Sequence, residues 1–221
     1  MFGKPIEAAL FDMDGLLIDT EAVYIEAYRQ AATTIGVEMP ISLCHAMIGV
    51  PTAECEILIQ EHFGPDFRVD HFQASFRTHA DRILADDVPV KPGAVELLEF
   101  LTGRGLPCAL ATSSRPTTAE RYLGRAGLRR HFAAIATRYD VERPKPHPDV
   151  YLEAARRLGV APERCLAFED SSVGLAAAHA AGTMAIMVPD ILQPSPEIRA
   201  KCVKVLPDLH AALGLLQEAL R

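Results

Sequence analysis

Short, largely apolar runs recur along this chain: IEAALF at 6–11, PCALAT at 107–112, AAIAT at 133–137, CLAF at 165–168, TMAIMV at 183–188 and VKVL at 203–206. None shows the clean polar–apolar alternation of a half-exposed strand. Runs of this kind suit strands covered on both faces, as in a parallel sheet. The segments between them have helical spacing. Ala94, Val95, Leu97, Leu98 and Leu101 form one apolar stripe, and Gly103 and Gly105 mark its exit. Pro116 stands where a first helical turn starts, and Pro148 is placed to open a helix carrying Val150, Tyr151, Ala154, Ala155 and Leu158, which Gly159 closes. From about residue 90 onward strand and helix alternate, which is the pattern of a doubly wound α/β domain with a parallel sheet.

Residues 20–88 break that rhythm. They are mostly helical in pattern, with turns at Gly36, Gly49-Val50-Pro51 and Gly64-Pro65, and they contain no convincing buried strand. An insertion of about seventy residues is too long for an ordinary connection between a strand and its helix. The expected architecture is therefore a discontinuous α/β core, 1–18 and 89–221, with a smaller all-helical cap domain at 19–88. The stretch PDILQPSP at 189–196 reads as a loop.

The formal charge of −7 (22 Lys+Arg against 29 Asp+Glu) argues against nucleic acid as a partner, because phosphate backbones attract basic surfaces. Cys44, Cys55, Cys108, Cys165 and Cys202 include no C-x-x-C pair, so buried free thiols in a reducing compartment are expected rather than a zinc site or disulfides. The N-terminal apolar run is too short for a signal peptide, and nothing approaches the ~18 apolar residues of a membrane span. The expectation is a soluble, cytoplasmic protein with no membrane partner, taken as a monomer by default.

The strongest local signal is FDMDGLLIDTE at 11–21. Asp12 ends a strand, and ligands of parallel sheets bind at the carboxyl ends of strands. Asp14 follows two residues later, and Gly15 permits a tight turn. Two carboxylates this close repel each other unless a cation or a shared proton intervenes. Mg2+, which favours carboxylate and water oxygens, suits the pair. A calcium EF-hand does not, because Gly15 is fourth in line and apolar Leu16, Leu17 and Ile18 follow.

CLAFEDSSVG repeats the arrangement. A strand ends at Glu169-Asp170, and Ser171, Ser172 and Gly174 lead into a helix. An ordinary helix N-cap would read the same way, but a second acidic pair at a strand end of the same sheet favours a metal site. Thr112 ends another strand and is followed by Ser113, Ser114 and Arg115. Hydroxyls and N–H groups ahead of a helix suit phosphate oxygens, and they also suit plain capping. Lys145 lies in RPKPHPD, where prolines stiffen the backbone around it. Gly103-Arg104-Gly105 is no dinucleotide fingerprint, since it follows a helix and Cys108 stands at the third glycine's place.

The order DxDG, Thr/Ser, Lys, Glu-Asp, each element at a strand end, resembles the haloacid dehalogenase superfamily over essentially the whole chain. FDMDG-x-x-x-DTE followed by a helical insertion is similar to the branch that holds phosphoglycolate phosphatases, β-phosphoglucomutases and sugar-phosphate or pseudouridine-5′-phosphate phosphatases. The resemblance implies a Rossmann-like core and a Mg2+-dependent phosphatase acting on a small phosphomonoester. Asp12 would be the nucleophile that becomes an aspartyl phosphate. Asp14 would be the general acid and then the base. Thr112, with Ser113, would hold phosphoryl oxygens, and Lys145 would neutralise charge. The metal would be held by Asp12, the backbone carbonyl of Asp14 and Asp170, with Glu169 beside it or one shell out.

In the insertion, Tyr24, His45, the Gly49–Thr52 turn, Arg77 and His79 are candidates for substrate contact, Gly49, Thr52 and Arg77 foremost. The mutases of the branch have a His and an Arg where this chain has Tyr24 and Thr52, which favours hydrolysis over mutase chemistry. A receiver-type phospho-switch shares a strand-end Asp and a Lys, but the insertion and Asp14 argue against it.

Overall fold

The computed structural model describes residues 2–48, 50 and 52–220. The chain divides into two compact units, Met1–Asp19 with Pro89–Arg221, and Thr20–Val88. The first unit is built on β1 (Ala8–Phe11), β2 (Cys108–Thr112), β3 (Phe132–Thr137), β4 (Cys165–Glu169), β5 (Met184–Met187) and β6 (Lys204–Val205). All neighbouring pairs are parallel, and the strand order is β3-β2-β1-β4-β5-β6. The chain builds outward from β1 to one side, then crosses to build outward on the other. β1 therefore marks the reversal point where ligand crevices form in such sheets.

The helices of this unit are α5 (Ala94–Gly103), α6 (Pro116–Arg125), α7 (Asp149–Leu158), α8 (Ser172–Ala180), α9 (Pro196–Lys201) and α10 (Leu209–Ala219). They cover both faces of the sheet. On one face Ala8, Leu10, Ala109, Ala111, Cys165 and Ala167 pack against Val150, Tyr151, Ala154 and Ala155 of α7 and Leu175 and Ala178 of α8. On the other, Phe11 stacks on Phe168 with ring centres 4.8 Å apart. Burial on both faces is what removes polar alternation from the strand sequences. Pro116 does open α6, whereas Pro148 is the residue before α7 rather than its first. Gly159 closes α7 in the left-handed region at φ 70°. The expected loop at 189–196 ends one residue early, because Pro196 opens α9 with the Ser195 hydroxyl capping it.

The core runs through Asp19, one residue past the expected crossing. The Asp19 N–H donates to Pro89 O and the Lys91 N–H to Leu17 O, each at 2.9 Å, so the outgoing and returning chain run side by side.

The second unit comprises α1 (Thr20–Thr34), α2 (Ile41–Ala46), α3 (Thr52–Phe63) and α4 (Val69–Asp86), with no strand among its described residues. Ala31, Ala32, Met39, Cys44, Met47, Cys55, Ile59 and Phe72 form its core. Tyr28 stacks on Phe76 at 4.0 Å. All five cysteines are free, and all but Cys202 are buried. No helix among the described residues is long and apolar enough to cross a membrane.

Candidate active site

Side chains alternate faces along a strand, so the parity that puts Ala8 and Leu10 against α7 carries on to Asp12. The same parity carries Cys165 and Ala167 on to Glu169. Phe11 pairs with Phe168 across β1 and β4, and the Asp12 N–H extends the ladder to Phe168 O at 3.1 Å. Asp12 and Glu169 are thereby brought level, side by side, at the carboxyl end of the sheet. Both are buried.

Lys145 reaches between them. Its Nζ donates to Asp12 Oδ1 at 2.5 Å and to Glu169 Oε1 at 2.6 Å, and its side chain is only 7% exposed. The rest of the Glu169 carboxylate is also occupied. Oε1 accepts from the Tyr151 hydroxyl at 2.8 Å, and Oε2 from the Ser171 hydroxyl at 3.0 Å and its N–H at 3.2 Å. The carboxylate lies so close to Gly174 that a β-carbon there would overlap it. Gly15 has φ +86°, and a β-carbon there would run into the Asp170 carboxylate.

Burial pushes the Asp12 carboxyl up to about 7; Lys145 pulls it down, and Glu169 and Asp14 add to the rise. Lys145 is shared with Glu169, so it offsets only part of the cost of burying Asp12. Burial, then Glu169 and Asp12, push the Asp170 carboxyl well above its ordinary range. Burial alone would lower Lys145, but the Asp12 and Glu169 carboxylates outweigh it and hold it protonated. One ammonium against three buried carboxyl groups leaves the fully ionised cluster with surplus negative charge, which protons on Asp12 and Asp170, or a cation, would relieve.

Oxygens of Asp12, Glu169 and Asp170 lie within 4.8 Å of one another. An all-oxygen donor set with surplus negative charge fits a hard divalent cation. Asp12 and Asp170 are the better placed to ligate it, because hydrogen bonds already take up both oxygens of Glu169.

Asp14 points elsewhere. Its Oδ2 accepts from the Ser114 hydroxyl at 2.7 Å and lies 3.5 Å from Thr112 Oγ1, which itself accepts the Ser114 N–H at 3.0 Å. The carboxylate end of Asp14 therefore belongs to the β2 side of the site, while its neighbours in the motif face β4.

Asp12, Asp14, Thr112, Lys145, Glu169 and Asp170, singled out from the sequence, all come together here. Ser113 does not join them: it is exposed, and Ser114 makes the contact with Asp14. In the sequence Ser114 counts only as one of the hydroxyls ahead of a helix, and Tyr151 carries no functional signal. Ser114 sits in the same Thr-Ser-Ser run, but Tyr151 reads simply as one apolar position of α7.

The remaining candidates lie in the helical unit. Arg77 and His45 are exposed on α4 and α2. Tyr24 packs edge-on against Phe76. His79 bonds Thr34 Oγ1 at 3.0 Å and lies 3.3 Å from the Arg82 guanidinium. Gly49 lies outside the described residues, as does the Thr52 side chain, although the Thr52 backbone opens α3.

Residues 6–182 match the haloacid dehalogenase-like hydrolase family. A phosphorylated carbohydrates phosphatase from Thermotoga maritima is 35% identical over 177 residues, covering 80% of this chain and 82% of its own. The fructose-1-phosphate phosphatase YqaB from Escherichia coli is 37% identical over 180 residues, covering 81% and 94%. A solved structure of a candidate β-phosphoglucomutase from Thermotoga maritima superposes with a TM-score of 0.84 at 32% identity, covering 96% and 99%.

Proposed function

This chain belongs to the haloacid dehalogenase-like hydrolases, and from that premise we propose that it is a phosphatase of small phosphomonoesters, phosphorylated carbohydrates foremost and nucleoside monophosphates next, working through an aspartyl phosphate on Asp12. The observation that carries this reading is the Lys145 ammonium bridging the buried Asp12 and Glu169, with Asp170 beside them. The carbohydrate preference rests on the relatives that are phosphatases of such substrates.

In this reading an Asp12 oxygen attacks phosphorus as the bond from phosphorus to the leaving oxygen breaks, and Asp14 delivers a proton to that oxygen. Water then attacks the aspartyl phosphate. Asp14 takes the water's proton, inorganic phosphate leaves, and Asp12 is regenerated. Thr112 donates to a phosphoryl oxygen, and Lys145 keeps a positive charge against Asp12 and the transferring group throughout. Ser114 holds the Asp14 carboxylate on the β2 side. Asp12, Asp170 and the Asp14 carbonyl would hold Mg2+, which would supply charge neutralisation for the anionic nucleophile and the incoming phosphate. Glu169 serves chiefly to orient Lys145.

A mutase reading differs only in what accepts the phosphoryl group, and the likeness to a candidate β-phosphoglucomutase favours it. Tyr24 and Thr52, in place of the mutases' His and Arg, weigh against it. Phosphate release measured over a panel of sugar phosphates and nucleoside monophosphates with Mg2+ tests the proposal. Release that depends on Asp12 is expected, and absence of release from every member would overturn it. β-Glucose 1-phosphate belongs in the panel, because isomerisation without phosphate release would mark a mutase.

A further inference from the structure

Resting on the phosphoryl-transfer reading above, we infer that Tyr151 is a positioning residue for Lys145, acting through Glu169. Tyr151 stands on the buried face of α7 among Val150, Ala154 and Ala155, where a wholly apolar side chain would fill the space. It is fully buried, and a buried tyrosine hydroxyl requires a partner. The partner is Glu169 Oε1 at 2.8 Å, the same oxygen that accepts from Lys145 at 2.6 Å. The aromatic ring lies 5.1 Å from the Lys145 ammonium, within the range of attraction between a cation and a ring face. The residue thus touches both ends of the lysine's environment, the ammonium and the carboxylate that competes with Asp12 for it.

A lysine ammonium ends a flexible four-carbon stem, so its partners decide where it rests. Asp12 and Glu169 pull it in two directions. The Tyr151 hydroxyl shares Glu169 Oε1 and weakens that pull, while Ser171 pins Oε2 and keeps the carboxylate from turning. Remove the hydroxyl and Glu169 Oε1 is left with Lys145 alone. The ammonium then moves toward Glu169 and away from Asp12. The change falls on the charge balance during phosphoryl transfer and leaves the substrate's contacts in place.

The test compares the wild type with Tyr151→Phe, which keeps the ring and removes only the hydroxyl, and with Tyr151→Leu, which removes both. Tyr151→Phe is expected to lower kcat by about 10-fold with KM within about 2-fold, the pattern of an interaction that matters in the transition state. A slowly exchanging Lys145 ammonium resonance, assigned by its loss in Lys145→Met, is expected in 15N NMR of the wild type and is expected to shift or broaden in Tyr151→Phe. Tyr151→Leu is expected to lose more turnover; if it fails to fold, the Phe variant decides alone. Wild-type kcat per folded molecule together with an unmoved resonance in Tyr151→Phe would overturn the inference, even if the melting temperature fell. If the wild type releases phosphate from no substrate, the functional reading fails by itself, and the resonance still decides whether Tyr151 places Lys145.

Discussion

Gly174 lies against the carboxylate of Glu169, with no room for a β-carbon between them. Glu169 cannot step aside, because Lys145, Tyr151 and Ser171 hold both of its oxygens. Gly174→Ala should therefore cost about 1–3 kcal/mol, as overpacking of a filled interior does. It should also reduce turnover by displacing Glu169 and with it Lys145. A urea melt alongside steady-state kinetics checks both; an alanine variant with unchanged stability and kcat would contradict the packing argument.

Asp12→Asn should abolish turnover and leave the fold intact. The same substitution should alter how stability depends on pH. A carboxyl raised in the folded state from 3.8 to about 7 contributes stability that is fully present below about pH 4 and lost as pH rises through 7. In metal-free buffer the wild-type melting temperature should therefore fall across that window, and the Asn variant should fall less. Parallel slopes for the two proteins would refute the assignment.

Mg2+ should act in the opposite sense. The crowded carboxylates of Asp12 and Asp170 resist ionising together, and a divalent cation relieves them. Saturating Mg2+ should raise the melting temperature at pH 8, by about 2.7 kcal/mol of stability at 100-fold excess over Kd. The gain should shrink below pH 6, where protons occupy the same oxygens. Asp170→Asn should lose the increment, and EDTA should stop turnover until Mg2+ is restored. A metal effect that survives in Asp170→Asn would place the ion elsewhere.

Asp14→Asn should form the phosphoenzyme slowly and hydrolyse it poorly, since Asp14 gives a proton to the leaving oxygen in the first step and takes one from water in the second. Ser114→Ala frees Asp14 Oδ2 from a 2.7 Å hydrogen bond and should cost about 10-fold in kcat, in line with losing a hydrogen bond to a charged group. Rapid-quench measurement of phosphoenzyme separates the two variants. Wild-type kcat in Ser114→Ala would remove the serine from the site.

Most of the fold could be read locally. The apolar runs gave every strand to within a residue or two, because burial on both faces leaves a continuous apolar signature. Turn chemistry placed helix ends well at Pro116 and Gly159. It placed Pro148 one position too far in, since a proline satisfies either the first helical position or the one before it. In the helical unit the pattern gave helices and turns, but residue type alone could not separate contact residues from packing residues. Tyr24, for one, packs edge-on against Phe76.

The sequence by itself determined that Asp12, Thr112 and the Glu169-Asp170 pair stand at the ends of buried parallel strands, because periodicity and strand termini are local properties. Only the tertiary structure decided which of them touch. That Asp12 stands level with Glu169 depends on β1 lying beside β4 with Phe11 opposite Phe168. That Tyr151 reaches Glu169 depends on strand parity turning Glu169 toward the face where α7 packs. That Ser114 rather than Ser113 meets Asp14 depends on the direction of the chain as it leaves β2. Each of these brings together segments far apart in the chain, and their register and packing leave no mark on any one segment.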